Sequence, residues 1–142
     1  MLADDEGIVI DSLKFILEKN FPGQFEIETA KTGRAVIELA EHFKPDIAFM
    51  DIQMPGINGI DAMREIKQSN PSVIFIVVSA YDRFMYAKEA ISLGVLEYIN
   101  KPFNQGAICA VLEKAMHQID SKREQHRNDL IIKEKMENFM YG

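Results

Sequence analysis

The amino-acid sequence predicts an α/β fold in which helices cover both faces of a parallel sheet. Strand-like and helix-like patterns alternate five times along the 142 residues, as in chains built from strand–helix–strand units. Two unbroken apolar runs, at residues 47–50 and 73–78, are typical of strands buried on both faces. Because connections between parallel strands are right-handed, the alternation predicts a doubly wound sheet with these two strands at its centre.

The composition indicates one globular domain without a general nucleic-acid surface. Hydrophobic residues make up 47% of the chain, and the formal net charge is −6. Binding to phosphate backbones needs clustered Lys and Arg, which an acidic chain does not favour. The single cysteine, Cys109, cannot form an internal disulfide. No apolar run approaches the roughly 18 residues of a spanning helix, and the acidic N-terminal stretch is unlike a signal peptide. We therefore expect a cytoplasmic protein without a membrane partner.

The first half of the chain contains two predicted strands, each followed by a helix. Residues 1–3 form a very short apolar strand, and residues 7–20 have the apolar spacing of a helix. Residues 25–29 alternate between apolar and acidic side chains, which predicts a strand near a sheet edge with one wet face. Thr32 is a typical N-cap for the second helix, which ends before Pro45.

The second half continues the same alternation. After the central strand, a helix over residues 60–69 ends at Asn70, and residues 73–78 form the next buried strand. A helix over residues 83–93 ends at a glycine, and residues 96–99 form a short, half-polar edge strand. The side chains of the fourth helix that we predict to face the core are Ala87, Ala90 and Ile91.

The last segment is predicted to be a helix that leaves the globular body. From Asn104 an apolar stripe continues to Ile119, and residues 120–129 then hold six charged residues in ten. Apolar residues resume at helical spacing from Leu130. We predict that residues 119–142 form a helical linker or dimerising extension toward a missing output module. The alternative is a frayed tail in which the spacing arises by chance.

Polar side chains occur where the predicted strands end. Asp4 and Asp5 follow the first strand, Asp51 the third, Ser79 the fourth and Lys101 the fifth. Because the carboxyl ends of parallel strands meet at one edge of the sheet, these side chains are predicted to share a crevice. For Asp51 alone, the alternative is an ordinary aspartate that opens a loop.

Three carboxylates in one crevice need compensation. Two like charges 4 Å apart repel by roughly 1 kcal/mol in water and more near a protein surface, and one lysine cannot offset three acids. Mg²⁺ suits such an oxygen-rich site, although protonation of one carboxylate would also relieve the repulsion. Asp51 beside Mg²⁺ can attack a phosphoryl group to form an acyl phosphate, with Lys101 neutralising charge and the Ser79 hydroxyl donating to an oxygen. Pro102 suggests a cis peptide that aims Lys101 inward.

The remaining residues offer no other catalytic centre. The three histidines, His42, His117 and His126, lie on polar helical stretches and are interpreted as surface residues. The chain has no glycine-rich phosphate loop of the Walker or dinucleotide type.

The motifs resemble one known family. Asp4–Asp5, Asp51 in D-x-x-M-P-G-x-N-G, Ser79–Ala80 and Lys101–Pro102–Phe103 occur in the order and spacing of the receiver domain of two-component response regulators. The resemblance covers residues 1–118, and the first strand is shorter than is usual in the family. It implies a flavodoxin-like, five-stranded sheet of order 2-1-3-4-5 followed by an extended C-terminal helix.

The resemblance also implies a function. A sensor histidine kinase or phosphotransfer protein would donate a phosphoryl group to Asp51 in a magnesium-dependent reaction. Asp5 and Asp51 would bind Mg²⁺ directly, Asp4 would act partly through water, and Gln53 would contribute its backbone carbonyl. Such a domain is a switch that supports only its own phosphorylation and autodephosphorylation. A homodimer would form through the face made by helix four, strand five and helix five, or through the C-terminal helix.

Two further roles are implied by matching position. Ser79 and Tyr98 correspond to the family's switch pair, although Tyr98 could also be an ordinary aromatic residue of an edge strand. Gln53 and Tyr81 occupy positions that tune the lifetime of the phosphoryl group, and we hypothesise that the Tyr81 ring shields it from water. Two alternatives stay open. A phosphatase with an aspartate nucleophile is disfavoured because position 53 is not an acid, and a non-phosphorylated interaction domain is disfavoured by the complete acidic set.

Overall fold

The strands of the structure, a computed structural model, form one parallel sheet. The structure describes residues 1–80 and 84–141, with side chains omitted for residues 84 and 139–141. The order of the strands is β2-β1-β3-β4-β5, and every neighbouring pair is parallel. The doubly wound sheet of order 2-1-3-4-5 is therefore confirmed. The strands are β1 (Leu2–Ala3), β2 (Thr29–Ala30), β3 (Ile47–Met50), β4 (Ile74–Ser79) and β5 (Glu97–Asn100).

The helices begin and end close to the predicted signals. Thr32 caps the second helix by accepting a hydrogen bond from the Ala35 amide at 3.1 Å. Asn58 caps the third in the same way, accepting from the Asp61 amide at 2.9 Å. Gly94, with φ of 74°, follows the fourth helix in the left-handed conformation of a C-terminal glycine. The helices are α1 (Gly7–Asn20), α2 (Gly33–Phe43), α3 (Gly59–Ser69), α4 (Phe84–Ser92) and α5 (Gln105–Tyr141).

The sheet separates two hydrophobic cores because successive residues of a strand point to opposite faces. Phe49 and Ile76 face α1 and α5 in one core, whereas Met50 and Val77 face α2, α3 and α4 in the other. All six residues of β4 are buried. The long apolar strands thus lie inside the sheet and the half-polar ones at its edges, as predicted.

The predicted second strand is too long. The sequence predicts pairing over residues 25–29, but only Thr29 and Ala30 form a strand. In the described structure β2 pairs with β1 alone, and β1 offers only Leu2 and Ala3 as partners. A strand needs a neighbouring backbone for its hydrogen bonds, and the described pairing with β1 reaches only as far as the Glu28 carbonyl, which accepts from the Leu2 amide at 2.9 Å. The alternating pattern before Thr29 therefore does not become a strand.

The predicted inner face of the fourth helix is wrong at one position. Ile91 is 73% exposed, whereas Ala90 is fully buried and Tyr86 and Leu93 pack against the same core. Residues 86, 90 and 93 share a face at helical spacing, and the residue after Ala90 points about 100° away from it.

Two strands lie one residue later than predicted: β4 begins at Ile74 rather than at residue 73, and β5 at Glu97 rather than at residue 96. Arg83, the predicted start of the fourth helix, lies outside the described residues.

Helix α5 extends past the globular body, as predicted. It contains 37 residues, and its buried side chains end at Ala115. Every described side chain from Asp120 to Asn138 is exposed. The chain continues as a helix rather than as a frayed tail. Within the described residues, no helix is long and apolar enough to cross a membrane.

Candidate functional site

The carboxyl edge of the sheet carries the predicted site residues. Asp4 follows β1, and Asp51 follows β3 with its amide bonded to the Ala3 carbonyl at 2.9 Å. Ser79 ends β4, and Lys101 follows β5 with its amide bonded to the Ser79 carbonyl at 3.0 Å. These hydrogen bonds continue the sheet pairing past the ends of the strands, and they hold the backbones of Asp51 and Lys101 in place.

Three carboxylates converge at this edge. One oxygen each from Asp4, Asp5 and Asp51 can be chosen so that all lie within 4.8 Å of one another. Asp4 and Asp51 are buried, and Asp5 is exposed. An oxygen-only donor set that is open to solvent on one side fits a hard divalent cation that keeps some of its waters.

Lys101 provides the positive charge of the site. Its Nζ atom lies 2.8 Å from Asp4 Oδ2, 3.0 Å from Glu6 Oε2 and 3.2 Å from Asp51 Oδ2. The peptide bond between Lys101 and Pro102 is cis, as predicted. Glu6 was not among the predicted site residues. Its place next to the acidic pair and just before a helix was the signal that could have identified it.

The site is electrostatically strained when no cation is bound. Burial raises the pKa of Asp4 above its usual 3.8, and the neighbouring Asp51 charge adds to this, although hydrogen bonds from Lys101 and the Glu6 amide oppose it. Burial would lower the pKa of Lys101, but its hydrogen bonds to Asp4 and Glu6 and the charge of Asp51 outweigh burial and raise it. Lys101 therefore stays protonated, and the charged form of Asp4 is disfavoured.

A cavity of about 460 Å³ opens beside the acidic residues. Ser79, which is buried, and Gln53, which is exposed, both line it with Asp5 and Asp51. Tyr98 lies apart from this lining, half-buried on β5 and packed against the core under α2, α3 and α4. Tyr81 lies outside the described residues. The three histidines are all exposed, consistent with their interpretation as surface residues.

The loop after Asp51 is packed closely on that residue. The Gly59 amide donates to the Ile52 carbonyl at 2.7 Å. A Cβ atom at Gly59 would lie 1.9 Å from the Asp51 carbonyl oxygen, so no larger residue fits without a backbone shift. Gly56, with φ of 78°, supplies the left-handed turn in the same loop.

Comparisons with known proteins agree with this geometry. A family model described as "Response regulator receiver domain" matches residues 1–113. The chemotaxis protein CheY of Thermotoga maritima is 37% identical over 114 residues, which cover 80% of this chain and 93% of CheY. The receiver domain of AraT, a response regulator from Geobacillus stearothermophilus, superposes with a TM-score of 0.79 at 30% identity, covering 86% of this chain and 95% of that one.

Longer regulators are also similar to the chain. The uncharacterized transcriptional regulatory protein YesN of Bacillus subtilis is 37% identical over 119 residues. The chain spans only 32% of YesN, and 45% of a similar response regulatory protein of Vibrio cholerae. With the family match, the CheY similarity and the acidic pocket together, the chain belongs to the response regulator receiver domain family, whose members are phosphoacceptor switches in two-component signal transduction.

Proposed function

We propose that Asp51 of this chain accepts a phosphoryl group from the phosphohistidine of a sensor histidine kinase or a phosphotransfer protein. The observation that supports this most is the position of its carboxylate, which borders an open cavity and lies 3.2 Å from the Lys101 ammonium. A buried carboxylate with an adjacent fixed cation is suited to attack on an anionic phosphoryl group.

The proposed transfer conserves atoms and charge. An oxygen of Asp51 attacks phosphorus, the new O–P bond forms, and the P–N bond to the donor histidine breaks with its electron pair going to the imidazole nitrogen, which then takes a proton. Lys101 offsets the negative charge on the transferred oxygens. The Ser79 hydroxyl donates a hydrogen bond to one of them.

The carboxylate cluster is proposed to hold Mg²⁺. Asp5 and Asp51 would bind it directly, Asp4 partly through water, and Gln53 through its backbone carbonyl. The all-oxygen donors and the exposed side of the cluster support this assignment. When bound, Mg²⁺ supplies charge neutralisation for the transferred phosphoryl group.

The first test is labelling with acetyl phosphate in the presence of Mg²⁺. We expect about one equivalent of acid-labile phosphate per chain, since the site has a single acceptor. Asp51→Asn should abolish it while the far-ultraviolet circular dichroism stays unchanged. Repeated turnover of a small phosphate ester would instead indicate a phosphatase. Magnesium binding without any labelling would indicate an interaction domain that keeps only the fold.

A second proposal concerns the switch and the lifetime of the phosphorylated state. Ser79 and Tyr98 are proposed as the switch pair, and Gln53 and Tyr81 as positions that tune the rate of hydrolysis. Replacing Tyr81 with Ala should shorten the lifetime of the acyl phosphate, because water would reach the phosphorus more easily. An unchanged half-life of the labelled protein would exclude shielding by this ring.

The output is proposed to pass through the C-terminal helix. Residues 1–118 would form the receiver and residues 119–142 a linker or dimerising extension toward an output module, as the small share of the longer relatives that this chain covers suggests. Exposed apolar side chains support two dimer surfaces: Met85 and Ile91 on α4, and Ile132 and Met136 on α5. Molar mass measured with and without beryllofluoride would test for a phosphorylation-dependent dimer. The expected cytoplasmic location stays a prediction.

A further inference from the structure

Glu6 is the site residue to which neither the sequence motifs nor the proposed reaction gives a role. Its Oε2 atom lies 3.0 Å from the Lys101 ammonium, as close to it as the Asp4 and Asp51 oxygens are. The side chain is 57% exposed and lines both the cavity that contains Asp51 and a groove along α1. Glu6 therefore places a negative charge at the mouth of the pocket.

The backbone of Glu6 is firmly anchored. Its amide donates to Asp4 Oδ1 at 2.9 Å, and its carbonyl accepts from the amides of Val9 and Ile10 in the first turn of α1. The side chain thus starts from a fixed point close to Lys101. Its charge stays near the ammonium even though much of the carboxylate is in contact with water.

Glu6 also differs from the other two partners of Lys101. Asp4 and Asp51 belong to the carboxylate cluster that can hold a cation, whereas Glu6 does not. A bound cation would draw on the charge of Asp4 and Asp51, and Glu6 would remain as the partner of Lys101 that is outside the cation cluster. An incoming phosphoryl group must then compete with Glu6 for the ammonium.

We infer that Glu6 restrains Lys101 in the unphosphorylated state and slows the reaction of Asp51 with anionic small-molecule phosphodonors. The inference rests on the proposed function of Asp51. Glu6 lowers the rate of phosphorylation in two ways. Its charge repels an anionic donor at the mouth of the pocket, and it holds the Lys101 ammonium that the donor needs. An exposed ion pair contributes little to stability, so Glu6 acts on reactivity more than on folding.

The test compares phosphorylation rates at saturating Mg²⁺. Glu6→Gln removes the charge and keeps the shape, and we expect acetyl phosphate to label it about fivefold faster at low salt, the factor that corresponds to roughly 1 kcal/mol for one nearby charge. Glu6→Asp keeps the charge and should stay within about twofold of the unmodified protein. At about 1 M salt, where charges are screened beyond roughly 3 Å, the gain should shrink. Phosphoramidate, which carries less negative charge, should show a smaller gain.

Controls separate this inference from the proposed function. Asp11→Asn removes an acid further along α1. The described carboxylates within 4 Å of the Lys101 ammonium are those of Asp4, Glu6 and Asp51, so the labelling rate of the Asp11→Asn variant should not change. If the unmodified protein is not labelled at Asp51, the proposed function fails. If it is labelled but Glu6→Gln is labelled at an equal or lower rate, or with a gain that does not depend on salt, only the role of Glu6 is overturned.

Discussion

At the scale of single residues, one ammonium group holds the acidic pocket together. Lys101 contacts three carboxylates, while a fourth, Asp5, belongs to the aspartate cluster that could hold a cation. Four acids and one base leave net negative charge in a partly buried space, which costs free energy without a cation. We therefore expect a bound cation to relieve this repulsion and to stabilise the fold.

The first consequence concerns Asp4. Because burial raises its pKa in the folded state, the folded protein binds this proton more readily than the unfolded chain does. In magnesium-free buffer the contribution of Asp4 to stability should grow as the pH falls from above its raised pKa toward its unfolded value. Asp4→Asn keeps an acceptor for the Glu6 amide, and should raise the free energy of unfolding near neutral pH by about 1 kcal/mol.

Urea denaturation with and without Mg²⁺ checks this expectation. Mg²⁺ should stabilise the unmodified protein by mass action and stabilise Asp4→Asn less, because the cluster has lost one charged ligand. Equal stability of the two proteins without Mg²⁺ would show that the Lys101 ammonium and the Glu6 backbone amide already compensate the Asp4 charge fully.

At the scale of elements, the loop between β3 and α3 controls where Asp51 lies. Gly59 leaves no room for a side chain, since a Cβ atom there would lie 1.9 Å from the Asp51 carbonyl oxygen and 2.9 Å from the Ile52 Cα atom. The start of α3 therefore packs directly on the backbone of the proposed phosphoacceptor. A glycine is needed here because of this close packing and not because of its backbone conformation, since the φ angle of Gly59 is not in the left-handed region.

Gly59→Ala should consequently shift the loop and destabilise the fold by about 2 kcal/mol, the usual cost of overpacking a tight site. The matched control is Gly7→Ala at the first position of α1, where a Cβ atom would have the Lys31 Nζ atom as its nearest described contact outside the helix, at 3.5 Å. The control should change the free energy of unfolding by less than about 1 kcal/mol. Equal losses in the two variants, measured by urea denaturation, would contradict the packing argument.

At the scale of the whole molecule, α5 is half inside and half outside the fold. Ile108, Val111, Leu112 and Ala115 are buried against the sheet, and residues 120–138 are exposed. The exposed part buries none of its described side chains, and most helical stability in proteins comes from packing of an apolar face. We therefore expect its order in solution to depend on a partner, such as a second copy or an output module.

Hydrogen exchange tests this dependence. In a dilute monomer, amides of residues 122–138 should exchange orders of magnitude faster than those of β4, because little buried surface holds them. Dimerisation through the helix should slow their exchange, and Ile132→Asp with Met136→Asp should reverse the slowing. If these amides are equally protected from exchange at all protein concentrations, and also in the doubly substituted variant, the helix is stable without a partner.

The sequence determined the alternation of strands and helices, the two buried strands and the grouping of the polar residues at one edge. These features follow from periodicity and from the direction of parallel strands, which are local or topological properties. The cap at Thr32 was predicted from its side-chain chemistry, and the helix beyond Ile119 from the same helical spacing. The resemblance to receiver domains added the roles of individual residues, which stay proposals.

Only the tertiary structure decided how these parts meet. The pairing of β2 begins where β1 begins, so in the alternating pattern before Thr29 the described bonding to β1 reaches only the Glu28 carbonyl. The packing of α4 left Ile91 in solvent, although its spacing had predicted a core position. The contact of Glu6 with Lys101 joins residues 95 positions apart. Such contacts depend on distances across the fold, so a local pattern can mark Glu6 as a candidate but cannot pair it with Lys101.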